Sequence, residues 1–328
     1  VLADVSNSES PSRRGLFVRK FKSMIQTSEI TARSWMMVVL LGFTWGGTFI
    51  VTEIALEGIT PFWLAAGRIA FASILMYAIW QARGGALFAE PPTQKTKLVM
   101  WIMGALSSAI PFMLLAWGQQ YVTGGFAGVS MAAIALMVLP LAHFFVPGER
   151  LTWRKSLGFS IGFCGVVILM GAKAFESTGA SLETAGRLAC LIAAMCYGVN
   201  SIMMRRLPAI DTIGLSTVLL IMSAAIVIPI ALIVEGFPPM PSTKTMIVIA
   251  LLGLIPTAAA NFLRTLVIRS AGPVFMSITN YQVPVWSVVL GALLLGEPLP
   301  TSLIMAMVLI LAGVGLSQYG AFRKLFRR

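Results

Sequence analysis

Ten times along this chain, a run of about twenty residues passes with almost no charge, the length that crosses a bilayer core of about 30 Å at helical rise. The runs are about Ser34–Leu56, Pro61–Gln81, Lys97–Gly118, Gly125–Val146 and Trp153–Gly171, then Gly186–Met204, Asp211–Val234, Thr245–Leu266, Pro273–Leu295 and Pro300–Tyr319. In lipid the backbone must satisfy its own hydrogen bonds, so such runs form helices. Composition agrees: 58% of residues are hydrophobic and 11% charged, whereas a soluble domain carries roughly 25% charged residues. The expectation is an all-α membrane protein with ten transmembrane helices.

The net charge of +12 resolves into topology. With the N-terminus inside, the inside segments hold 20 Lys and Arg, and the outside loops hold three, Lys173, Arg187 and Lys244. Basic residues concentrate in cytoplasmic loops, so both termini are expected in the cytoplasm, and the charge implies no nucleic-acid partner. Residues 1–33 read as a basic cytoplasmic tail without the apolar core of a signal peptide. Residues 172–185 read as an extracytoplasmic linker and 320–328 as a second basic tail. Cys164, Cys190 and Cys196 lie in apolar runs, and the single histidine, His143, leaves no metal cluster or catalytic triad. No metal, cofactor or enzymatic activity is expected.

The halves 34–171 and 186–319 resemble each other. Val122-Thr-Gly124 and Gly148-Glu149-Arg-Leu151 recur as Ser270-Ala-Gly272 and Gly296-Glu297-Pro-Leu299, both at an offset of 148, and Trp45-Gly46 recurs as Tyr197-Gly198 at 152. Five spans per copy is an odd number, so the second copy must sit inverted. Inverted repeats with a central site at their interface are a construction rule of secondary transporters.

At these landmarks the chain resembles the drug/metabolite transporter superfamily, specifically its ten-helix EamA-type members. The resemblance is carried by Gly42-Phe-Thr-Trp45-Gly46 with Pro61 and Arg68 after it, Pro147-Gly-Glu149-Arg-Leu-Thr-Trp153, Gly162-Phe-Cys-Gly165-Val166, Ala271-Gly272-Pro, Pro284, Leu295-Gly296-Glu297-Pro-Leu299 and Ala312-Gly313-Val. It covers about residues 34–319. It implies an exporter of amino acids or other small metabolites in an inner or plasma membrane. Where such members usually have aromatic or apolar residues in the eighth helix, this chain has Asn261 and Arg264.

Polar groups inside spans are costly and point to a pathway. The richest run is Thr279-Asn280-Tyr281-Gln282-Val-Pro284 in span nine, where Pro284 removes a helical hydrogen bond and Trp286 follows. The amides could meet a polar substrate or glue helices together. Trp45, Thr48 and Phe49, with Tyr197 and Asn200 opposite, form a second candidate lining. Trp117 is a candidate contact, although its place at the end of span three favours the interfacial belt. Arg68, about 10 Å into span two, needs a partner, and Glu53 is the nearest acid by depth, so the two are expected to form a structural or gating bridge. Arg264 either snorkels to the cytoplasm or meets an anionic substrate together with Asn261. The candidates for proton coupling are Glu53, His143 or the titration of the substrate itself.

The leading expectation is a secondary active transporter, an exporter of small polar or amphipathic metabolites such as amino acids or related organic anions, working by alternating access. Export of drugs or aromatic and cationic compounds is the alternative; no acid sits mid-membrane to serve a cation pump. A membrane-embedded enzyme and a non-transporting receptor are the readings from other classes. The partners are a small-molecule substrate and the lipid bilayer, in a monomer or weak homodimer.

Overall fold

The computed structural model describes residues 30–85, 87, 93–145, 151–170, 182–204, 210–238, 240–271 and 273–326. Most of the basic N-terminal tail, most of the linker 172–185, and Glu149 lie outside the described residues. Those described are all-helical. We number the spans α1 Ala32–Leu56, α2 Pro61–Ala82, α3 Gln94–Gly118, α4 Gly124–Phe145, α5 Trp153–Met170, α6 Glu183–Met204 and α7 Thr212–Glu235. The eighth, α8, runs from Thr243–Leu252 through the π-helical segment Gly253–Ala259 into Ala260–Ala271; α9 is Thr279–Leu295 and α10 is Thr301–Phe326. Among the described residues nine helices are long and apolar enough to cross a bilayer, with α9 a shorter tenth.

Local chemistry sets the helix starts. Thr31 caps α1 in a reciprocal capping box with Ser34, Pro61 takes the first turn of α2, and Asp211 and Ser242 cap α7 and α8. Span nine departs from the expected continuous Pro273–Leu295. A one-turn helix, Pro273–Met276, gives way at Ser277 and Ile278 before α9 starts at Thr279. The break lies upstream of Asn280, whereas Pro284 sits inside the helix, where its missing N–H removes one bond without interrupting the span.

Outward faces of these helices carry Met36, Phe43, Ile74, Phe163, Ile233 and Val308 as exposed apolar side chains, the inverse of a soluble surface. Helices meet where small residues allow it. Gly42 and Gly46 of α1 lie against Gln282 and Trp286 of α9, so these two helices run parallel. Gly158 and Gly165 of α5 lie against Gly313 and Ile310 of α10, an antiparallel pair. The Gly158-x-x-x-Gly162 run is therefore spent inside the monomer: a Cβ on Gly313 would come within 2.4 Å of the Gly158 carbonyl oxygen. Gly313→Val should lower stability by about 1–3 kcal/mol through overpacking, read as a drop in thermal unfolding midpoint in detergent. An unchanged midpoint would show that this crossing is loose.

Candidate functional site

A cavity of about 2540 Å³ occupies the centre of the bundle. Its lining runs from Thr31, Arg154, Lys155 and Gly320, at the helix ends near the termini, to Thr52 and Gln119 at the opposite ends of α1 and α3. It opens on the face where α1 begins and α10 ends and is shut on the other.

The wall is built at the π segments. In α8, Pro256 has no N–H to give to the Leu252 carbonyl four residues earlier. The Thr257 hydroxyl donates to that carbonyl instead, at 2.9 Å, and its oxygen accepts from Arg68 Nε at 3.2 Å. The Pro256 carbonyl in turn accepts from Trp45 Nε1 at 3.0 Å, and Asn261 Nδ2 donates to the Thr257 carbonyl. A second π segment, Ala105–Ala109 in α3, lies at the repeat offset of 148 from Gly253. It places Ser107 and Ser108 on the wall, with Phe112 one turn further on. π segments inside α-helices frequently mark functional positions.

Arg68 is 8% exposed, and its guanidinium carbon lies 4.0 Å from the centre of the Phe112 ring. Gly253 lets the helices close here, since a Cβ there would come within 2.6 Å of the Arg68 carbonyl oxygen. The expected Glu53–Arg68 bridge does not form. Depth alone suggested the pair, but α1 turns Glu53 toward the start of α4, where it accepts from Gly124 N–H at 3.1 Å. No Asp or Glu lines the cavity among the described residues, whereas Arg68, Arg264, Arg154 and Lys155 do.

Trp45, with Thr48 and Phe49 about one turn further on, lines one wall as expected, and Tyr197 and Asn200 line another. Asn261 and Arg264 both line the cavity, and Arg264 is exposed to it rather than packed away. His143 is exposed at the mouth, where its Nδ1 accepts from Leu151 N–H at 3.4 Å. The amide run of α9 is split. Asn280 reaches the cavity; Gln282 and Trp286 lie on the stripe that packs against Gly42 and Gly46, and Tyr281 packs into the core. Pro284 is buried inside α9, and Trp117 sits off the lining beside Tyr121. A helix turns about 100° per residue, so neighbours in sequence cannot all face one cavity.

The shut end was not foreseen. Glu297, expected only to mark a loop end, is 8% exposed and accepts from Gly124 N–H and Gly125 N–H, each at 2.9 Å. It thus shares Gly124 with Glu53. At the parallel position on α2, Glu235 accepts from Phe62 N–H at 3.0 Å, Trp63 N–H at 3.1 Å and the Thr60 hydroxyl. Two helix N-termini of the first half are thereby capped by carboxylates of the second, the sign that the helix dipole favours. Gln119 adds a bond from its Nε2 to the Phe49 carbonyl at 2.8 Å.

Residues 33–171 and again 184–318 match the EamA-like transporter family. The chain is 26% identical over 280 residues to a probable terminal-alkyne amino-acid exporter of Streptantibioticus cattleyicolor, covering 84% of this chain and 90% of that one. It is 25% identical over 283 residues to the uncharacterized inner membrane transporter YedA of Escherichia coli, covering 85% and 88%. An S-adenosylmethionine/S-adenosylhomocysteine transporter of Chlamydia trachomatis is 21% identical over 300 residues, covering 88% and 90%. A solved crystal structure at 21% identity superposes with a TM-score of 0.62 over 89% of this chain and 99% of its own, which shows the shared fold. The chain belongs to the EamA-like transporter family and is a multi-pass integral protein of the inner membrane.

Proposed function

We propose that this EamA-like family member is a secondary active exporter of small polar or amphipathic metabolites, amino acids or related organic anions, and works by alternating access. One observation carries the reading: a large central cavity is open at one face and sealed at the other by contacts between the two halves. With the termini in the cytoplasm, as the basic loops suggest, this is the state that loads substrate from inside. The antiparallel packing of the equivalent helices α5 and α10 supports inverted repeats, which supply two exchangeable states. Rocking of the halves would break the carboxylate caps at the far face and close the mouth. The exporter name of the Streptantibioticus relative supports the direction. The absence of any acid from the described lining weighs against a drug-cation pump.

Purified protein in sealed proteoliposomes should show saturable counterflow of a labelled amino acid or organic anion. No flux across a broad panel, with chemical turnover of a substrate instead, would replace transport with catalysis.

Coupling to protons is part of the proposal. Glu53 and Glu297 converge on one amide N–H, where two carboxylates repel each other, and Glu53 is the proposed proton acceptor. Glu53→Gln keeps an oxygen for Gly124 N–H but removes the titration. Flux driven by a pH gradient should then fall at least ten-fold while counterflow without a gradient persists. Unchanged gradient-driven flux would remove Glu53 from the coupling step.

A further inference from the structure

Among the described residues, Arg68 is a buried cation with no acid within 4 Å and no acid on the wall it shares. Uncompensated buried charge is expensive, and what the protein supplies is incomplete. Thr257 holds Nε, Phe112 lies against one face, and no described side chain bonds the two terminal nitrogens. These fix the guanidinium in place while leaving open the fork that grips a carboxylate in bidentate fashion.

The second observation concerns acceptors rather than donors. Asn200 is 8% exposed and Gln119 5% exposed; both line the cavity, and the side-chain oxygen of each is buried with no hydrogen-bond donor. For Gln119 the amide orientation is fixed by the protein, because its nitrogen must face the Phe49 carbonyl. Asn200 stands one turn beyond Tyr197 on α6, about 4.5 Å along the axis, and both line the same cavity as Arg68. A buried acceptor left without a donor costs about 1–3 kcal/mol. The cavity is thus short of one negative charge and at least one N–H or O–H donor.

Resting on the transporter reading above, we propose that the site is built for a zwitterion. The carboxylate of the substrate closes on the terminal N–H groups of Arg68, and its ammonium donates to Asn200 Oδ1, with Gln119 the acceptor toward the shut end. The ligand brings both missing partners at once. A plain organic anion satisfies Arg68 only. A plain amine meets neutral oxygens across from a cation and is rejected.

Three probes of one shape separate these cases: leucine, 4-methylpentanoate and isoamylamine, titrated into the purified full chain in detergent at pH 7, with binding read by calorimetry or thermal shift. Leucine should bind at least ten-fold tighter than 4-methylpentanoate, and isoamylamine should not bind. Arg68→Gln should weaken both carboxylates at least ten-fold, with Arg68→Lys recovering part. Asn200→Leu should weaken leucine alone and leave 4-methylpentanoate unchanged, a split that a packing role would not produce. Asn200→Leu also carries the test if Arg68→Gln fails to fold. Equal binding of isoamylamine and leucine, an Asn200→Leu variant that weakens both carboxylates alike, or no binding of any probe up to tens of millimolar overturns the proposal. Leucine binding without counterflow in proteoliposomes would sink transport and leave the site; counterflow of other solutes with Arg68→Gln unaffected would do the reverse.

Discussion

Glu297→Ala should destabilise the folded protein by about 2–4 kcal/mol, more than its small side chain area would suggest. Hydrogen bonds to a charged acceptor are worth about 1.5–3 kcal/mol each, and this carboxylate accepts two from the first turn of α4. Relief of its repulsion with Glu53 offsets part of the loss, since Glu53 still accepts from Gly124 N–H. Gly125 N–H has no such reserve. The glycines that make room for the carboxylate would also be left around a hole: a Cβ on Gly291 would now stand 2.5 Å from Glu297 Oε2, and one on Gly125 2.8 Å from it. Glu297→Gln keeps one acceptor oxygen and should recover about half. The measurement is thermal or denaturant unfolding of the three proteins in one detergent. If Glu297→Ala unfolds with the wild type, the carboxylate does not hold the start of α4, and the sealed end owes its closure to Glu235.

What was legible in the sequence divides along one physical line. Span length and charge asymmetry are one-dimensional quantities, and reading them located the helices within a few residues, apart from the break at Ser277 and Ile278 and the end of α10, which runs on to Phe326 through most of the expected basic tail 320–328. Depth is also one-dimensional, which is why Trp45, Tyr197 and Arg68 were placed at sensible levels. The direction in which a side chain points around its helix is not. Glu53 and Arg68 share a compatible depth yet serve different neighbours, and three of the four residues from Thr279 to Gln282 face helices rather than the cavity. Two further features carry signals in the sequence. Pro256 inside a span must free a carbonyl, and following that carbonyl leads to Thr257 and on to Arg68. Acids are so rare here, 12 in all, that one at the end of a span, such as Glu235 or Glu297, is a candidate cap for a helix starting nearby. The start of α4 at Gly124-Gly125, with no side chain of its own at those positions, advertised the need for one.

The largest functional effect is expected from tying the shut end together. Gly118 ends α3 in the first half, and Ala189 lies near the start of α6 in the second. A Cβ at position 118 would lie 3.5 Å from that of Ala189, within the span of about 3.5–4.5 Å that a disulfide bridges. Cys190 Sγ is 3.3 Å from the same point, so the pair Gly118→Cys and Ala189→Cys belongs in a Cys190→Ala background. Gly118→Cys alone controls for strain against the Gly186 carbonyl oxygen, 2.9 Å away. If substrate leaves by separation of the halves at this face, the oxidised pair should lose at least ten-fold in flux and regain it on reduction. Binding from the open mouth should survive, because the cross-link holds the state in which the cavity is already open there. The two readouts must part company: a cross-link that merely damaged the fold would take binding with it. Full flux in completely cross-linked protein would mean that α3 and α6 never separate, and a rocking mechanism about this cavity would have to be abandoned.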